Sequence, residues 1–340
     1  MSTRYFDSLP TELVRDILQD VDCLPPKERH VTLRSLCLTS KLLHAHAQPL
    51  LLKRIYTSIG AYPDLLKLLV ENNCNTTLAT VQALIFDEPK LTKVSKWLKQ
   101  FVKNATNLQE AFVNNQVVPM KAFFGSNITT LSLYSITMKL DGAVFAFPEL
   151  LRLSMYICPI HNEGGIRVSL PKLKHLAFIS PGTHIYPQEV TFLDRLVPKL
   201  TSFTASLDQI SVLPTSVINH PTLPILFTTW WITPVAKSLQ GVRHLLLQLR
   251  GPQGQIPPDW TDEIKNSAHQ LETLTLEWSG GGIRPEASVT RLLSACEAQN
   301  VEVLWQHRPD HKTSAATIET FFNVVPSSFI QRSEARQARN

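Results

Sequence analysis

The chain has 340 residues, 44% of them hydrophobic and 18% charged, with 23 Pro, 12 Gly and 48 Leu. That much apolar material can fill one large core or two smaller ones, and it excludes intrinsic disorder over most of the length. A net charge of +5 is small for this size; it permits an acidic partner without demanding nucleic acid.

Residues 1–60 read as a small helical domain. Pro10 opens a helix whose apolar positions Leu13, Ile17 and Leu18 fall on one face at i, i+4 and i+5. Pro25 and Pro26 end it. Val31, Leu33, Leu36 and Leu38 signal a second helix, and Leu42, Leu43, Ala47, Leu50 and Leu51 a third that Pro49 ends or kinks. Three short helices bury little surface alone and gain from a partner.

Residues 61–310 repeat. An apolar L-x-x-L-x-L spacing starts at Val81, Leu108, Ile128, Leu150, Leu173, Leu200, Val242 and Leu271, at intervals of 20 to 29 residues apart from one gap of 42. A degenerate unit at Leu223 and Leu226 divides that gap, and a last strand is expected over Val301–Trp305. Such intervals are those of leucine-rich repeats, whose stacked strand-plus-helix units share one continuous core. The fold expected is therefore α/β: an N-terminal helical unit, then an irregular leucine-rich-repeat solenoid with parallel strands inside and helices and loops outside. Residues 311–340 read as a cap helix over Ala315–Val325 followed by a polar, disordered tail.

The chemistry of catalysis is missing from the text. There is no Cys-x-x-Cys, phosphate-binding loop, nucleophile elbow or H-E-x-x-H. His44-x-His46 and His307-x-x-x-His311 lack a third ligand at a typical spacing and read as surface histidines, so no metal or other cofactor is expected. Gly280–Gly282 reads as a turn, and the lysines at 93, 96, 99 and 103 as a solvated helix face. Nothing approaches the roughly 18–20 apolar residues of a membrane span. The opening Met1–Pro10 has no secretory core, and five unclustered Cys fit a reducing compartment. The expectation is a cytoplasmic or nuclear, non-enzymatic protein in which the triplets at Asn75, Asn104 and Asn127 are chance glycosylation matches.

Phe6-Asp-Ser-Leu9-Pro10-Thr-Glu12-Leu13, the Ile17-Leu18 pair, and Leu33-Arg-Ser-Leu36-Cys-Leu38-Thr-Ser40-Lys41 together resemble an F-box. The resemblance covers roughly residues 5–56. An F-box ahead of irregular leucine-rich repeats is similar to many fungal proteins of that kind. It implies a substrate receptor of a Skp–cullin–F-box ubiquitin ligase, which docks a Skp-family adaptor, and through it a cullin, and presents a target protein. Leu9, Pro10, Leu13, Ile17, Leu18, Leu36 and Leu38 are the candidate adaptor anchors. For Leu13 and Leu36 a place in the module's own core is an equal reading. The alternative function is a repeat scaffold that binds a protein without ubiquitin transfer.

Strand side chains alternate between faces, so residues flanking the buried leucines project from the sheet's other face. Tyr134, Arg152, Tyr156, His175, His244 and Glu277 are the target-contact candidates on that ground. Tyr134, Tyr156 and Arg152 stand out because aromatic and Arg side chains dominate hot spots, and the two tyrosines, at matched positions in consecutive repeats, are expected to stack because neighbouring parallel strands lie about 4.8 Å apart.

Overall fold

A computed structural model describes residues 9–24, 26–57, 62–72, 74–87, 95–114, 120–134, 136–139, 144–156, 158, 160–161, 167–179, 187–196, 199–206, 225–229, 243–249, 259–267, 270–279 and 286–308. The tail from 309, with its expected cap helix, and the glycine triplet at 280–282 lie outside these residues.

Helix α1, Thr11–Asp22, starts at Pro10, whose φ of −54° suits a helix entry and whose carbonyl accepts from the Val14 N–H at 3.2 Å. The residues it buries are Val14, Leu18 and Val21, spaced i, i+4, i+7. This corrects the expected face: Leu18 is in the core, but Leu13 and Ile17 lie beside the buried stripe and stay exposed. Helix α2, Pro26–Thr39, and helix α3, Lys41–Lys53, meet at Ser40. Its backbone is extended and its hydroxyl accepts from the Leu43 N–H at 3.1 Å, which separates two helices that would otherwise run on. Pro49 does not end α3, which continues to Lys53.

The module's core is Val14, Leu18, Val21, Leu33, Leu43 and Ala47, with Leu9, Leu36, Leu42 and Leu50 among the side chains packed at its edge. Arg29, 2% exposed, ties the three helices together: its Nε donates to Asp22 at 2.6 Å and its Nη2 to the Leu50 carbonyl at 2.7 Å. Removing the guanidinium leaves a part-buried carbonyl and a half-buried carboxylate without that donor.

Beyond α3 the strands, in chain order, are β1 Arg54–Thr57, β2 Ala83–Asp87, β3 Glu110–Asn114, β4 Thr130–Tyr134, β5 Met138–Lys139, β6 Val144–Ala146 and β7 Arg152–Tyr156. Then come β8 Ile160–His161, β9 Arg167–Ser169, β10 His175–Ile179, β11 Ser202–Ser206, β12 Ile225–Thr229, β13 His244–Leu249, β14 Thr273–Ser279 and β15 Glu302–Arg308. Eleven of them form one sheet in the order β1-β2-β3-β4-β7-β10-β11-β12-β13-β14-β15. Every neighbouring pair is parallel, and the class is mixed α/β. β5 with β8 and β6 with β9 make two small parallel pairs. Each strand of this large sheet from β2 onward falls on one of the expected apolar units, the degenerate one and the last included, whereas β5, β6, β8 and β9 fall on none. β1 was not foreseen, and it puts residues assigned to the helical unit into the sheet.

The register explains why that spacing works. Ile55, Leu84, Ala111, Leu131, Leu153, Leu176 and Phe203 align across the sheet, as do Phe86, Val113, Leu133, Met155 and Phe178, and all are buried. Before each of several strands one carbonyl accepts two amides of the next unit. Gln82, Gln109 and Thr129 do so at 2.8 and 3.0 Å, which locks neighbouring units in register.

Helices cover the face bearing these leucines. α4 Tyr62–Glu71 and α5 Asn75–Thr80 follow β1, α6 Ser95–Asn104 follows β2, α7 Pro187–Leu196 follows β10, α8 Asp259–Ser267 follows β13 and α9 Glu286–Ala298 follows β14. Leu78, Leu98, Phe101, Phe192, Ile264 and Leu292 carry them into one core. Between β4 and β7 the described residues form short strands rather than a helix, and aromatic rings supply the volume there. Phe145 meets Phe147, Phe124 and Phe192 with centroids 5.1, 5.8 and 6.2 Å apart in edge-to-face geometry.

Candidate interaction surfaces

The helical module leaves large apolar side chains in water. Leu13 is 49% exposed, Ile17 41%, Val31 56% and Leu38 82%. Leu13 and Ile17 are one turn apart on α1, and Pro10, one turn before them, is also exposed. Val31 and Leu38, seven residues apart, share one face of α2; Val31 was not foreseen as an anchor. Its signal was present in the sequence, since i and i+7 fall on one side of a helix. Leu9 and Leu36 are half-buried against the module's core. Leu18, at 5% exposure, belongs to that core and is not a surface anchor.

The second surface is the face of the sheet turned away from the leucine core. Tyr134 and Tyr156 are in register, and their rings stack with centroids 4.8 Å apart and planes 5° from parallel. Both are half-buried against a small apolar cluster of Tyr56, Ile85 and Phe112, and burial raises the Tyr134 phenol above its ordinary pKa. This platform was not foreseen. The clue is that the residue between the two buried strand positions is Ile85 and Phe112 early on, but Ser132, Ser154 and Ala177 in later strands.

Arg152 opens strand β7 on the same face, four residues from Tyr156, and is exposed. His175, in register with Arg152, is only 5% exposed, so it is no open contact residue. Alternation fixes its face but not its depth, and strand neighbours Arg152 and Ser202 flank it. His244 and Glu277 occupy strands β13 and β14; their side chains lie outside the described residues. β13 is four strands from β7, roughly 19 Å along the sheet at about 4.8 Å per strand, so these two do not join the tyrosine pair in one small site.

The helical module meets the sheet at this edge. The His30 ring on α2 sits against Tyr56 of β1, centroids 6.1 Å apart, at the end of the row that leads to Phe112. Among the described residues no three His, Cys, Asp or Glu side chains gather as a metal-binding set. His44 and His46 are exposed, and His44 Nδ1 lies 3.1 Å from the Cys37 carbonyl. Among the described residues no helix is long and apolar enough to cross a membrane. No protein-family model matches the chain, and no curated protein matches it.

Proposed function

We propose that the protein is a substrate receptor of a Skp–cullin–F-box ubiquitin ligase, with its F-box docking a Skp-family adaptor and its leucine-rich-repeat solenoid holding a target. In this reading it supplies no catalytic group. Its effect is proximity: it raises the effective concentration of a target beside the ubiquitin-charged enzyme.

The observation that carries the reading is the exposed apolar face of the helical module. A module with six buried hydrophobic residues keeps Leu13, Ile17, Val31 and Leu38 in water. Covering a fully exposed Leu or Ile stabilises by about 1.5–3 kcal/mol, so a partner docked there recovers several kcal/mol. Pro10, Leu13, Ile17 and Leu38 are the principal anchors, with Leu9 and Leu36 at the rim. On the repeat side, the stacked Tyr134–Tyr156 pair and the exposed Arg152 are the centre of the target surface, while His244 and Glu277 mark a second, more distant stretch.

The test is co-purification from cells with a tagged chain. The wild-type protein is expected to bring down a Skp-family adaptor and a cullin. The double variant Leu13→Ala/Ile17→Ala loses the adaptor by at least about thirtyfold, since each central anchor is worth about 2 kcal/mol. Adaptor retained by that variant at wild-type level removes these residues from the interface. Adaptor without cullin favours the scaffold that transfers no ubiquitin.

A further inference from the structure

Helix α1 turns two different stripes outward, side by side. One is apolar: Leu13 and Ile17, 49% and 41% exposed, stand one turn apart. The other is acidic: Glu12, Asp16 and Asp20, all exposed, follow at i, i+4 and i+8, a line about 12 Å long. In helical projection Asp20, Asp16 and Glu12 fall about 20°, 60° and 100° from Leu13, so carboxylates edge the apolar pair along its length. Arg15, the one cation of α1, falls about 160° from both Leu13 and Ile17.

The pattern works against the helix that carries it. Like charges at i, i+4 oppose helix formation, and the C-terminal end of a helix already bears a partial negative charge of about −0.5. Asp20 lies in that last turn, which has no basic residue, and only Glu12, in the first turn, suits its place. Among the described residues no Lys, Arg or His is paired with Glu12, Asp16 or Asp20. Asp22, the fourth carboxylate of α1, instead meets Arg29 at 2.6 Å. The chain thus supplies a cation for the acid that turns into the module and none for the three that turn out. A local rule broken without offset inside the fold is the mark of a position kept for something outside it.

We propose that this face docks on a partner surface in which an apolar trough is edged by a row of lysines or arginines, and that these charges govern the rate of docking. Three carboxylates strung over two turns do not enclose a single ion. They match a row of cations of similar length, as along one side of a basic helix. The apolar pair gives the contact its lifetime, and the carboxylates give it orientation and speed, because rim charges steer association more than they add affinity. The inference rests on the adaptor reading, under which the surface belongs to the Skp-family adaptor; the basic edge is what it adds.

The experiment uses the full chain and a purified Skp-family adaptor, with association and dissociation rates read by biolayer interferometry between about 50 and 300 mM salt. Wild-type association is expected to slow by about tenfold or more over that range. The neutral triple variant Glu12→Gln/Asp16→Asn/Asp20→Asn associates at least about tenfold more slowly at the lowest salt, loses most of the salt dependence, and keeps its dissociation rate within about twofold. Leu13→Ala/Ile17→Ala does the reverse: it speeds dissociation and leaves the salt dependence of association in place. Removing like-charge repulsion leaves the thermal midpoint of the triple variant at or above that of wild type. A lowered midpoint means that the carboxylates serve the module itself, and it overturns the proposal. Wild type that binds the adaptor, with a triple variant matching its association rate and salt dependence, overturns the basic edge and leaves the adaptor reading standing. Wild type that does not bind the adaptor removes the adaptor reading and this inference together.

Discussion

Burial, then the charges of Arg34 and Arg29, depress the pKa of His30 from 6.5 to about 4. The folded protein therefore holds the ring neutral where the unfolded chain begins to protonate it. Stability from this site is fully present above pH 6.5 and is lost as pH falls from 6.5 toward about 4, with a slope of up to about 1.4 kcal/mol per pH unit. His30→Gln is expected to flatten that part of the profile, measured as the urea midpoint of wild type minus variant across this pH range. A difference that is independent of pH removes His30 as the cause. The stacked tyrosines make a second residue-scale prediction. In a double-mutant cycle with Tyr134→Ala and Tyr156→Ala, the denaturant-derived coupling is about 0.5–1.5 kcal/mol; zero coupling means that the stack contributes only area. This pairing was readable in the sequence because matched strand positions repeat. The depth of His175 was not, since it depends on what neighbouring strands place beside it.

At the scale of the element, the strands were the most legible part of the chain, because a period-two pattern locked to an L-x-x-L-x-L spacing has few other solutions. The helices were harder. In α1 the sequence contains two stripes with helical spacing, Leu13–Ile17 and Val14–Leu18–Val21, and periodicity alone does not say which one meets α2 and α3. Packing settles it: Leu18→Ala opens a cavity in a core of six buried residues, and it costs about 2–5 kcal/mol, whereas Leu13→Ala costs little stability. β1 was missed because four residues directly after a helix carry no repeat signal. The Phe145 cluster was also invisible, since it replaces a helix whose absence periodicity cannot announce. Phe145 is fully buried among three rings, so Phe145→Ala is expected to destabilise by about 3–5 kcal/mol in urea unfolding. A loss below about 1 kcal/mol means that the neighbouring rings collapse into the space.

For the whole molecule, the strand order decides how stability is distributed. Apart from the small pairs β5–β8 and β6–β9, every described strand joins a sheet in which chain neighbours are spatial neighbours, from β1 at one edge to β15 at the other. No described strand returns to pair with a distant one, so the hydrogen bonds within the sheet link adjacent units only. Stability is then close to a sum of unit and interface terms, and a local lesion spreads by fraying rather than by global collapse. Leu274 of β14 is fully buried and sits next to the C-terminal edge, in register with Leu245 and Val303. Leu274→Ala is expected to speed amide hydrogen exchange in β13, β14, β15 and α9 by tenfold or more, given about 2–5 kcal/mol lost from those units. Exchange in β2, β3 and β4, at least five strands away from β13, stays at the wild-type rate. Mass spectrometry of proteolytic fragments resolves the two regions in one measurement. Equal acceleration in both would mean that the shared leucine core, rather than the strand ladder, sets the cooperative unit, and that the two ends of the sheet unfold together.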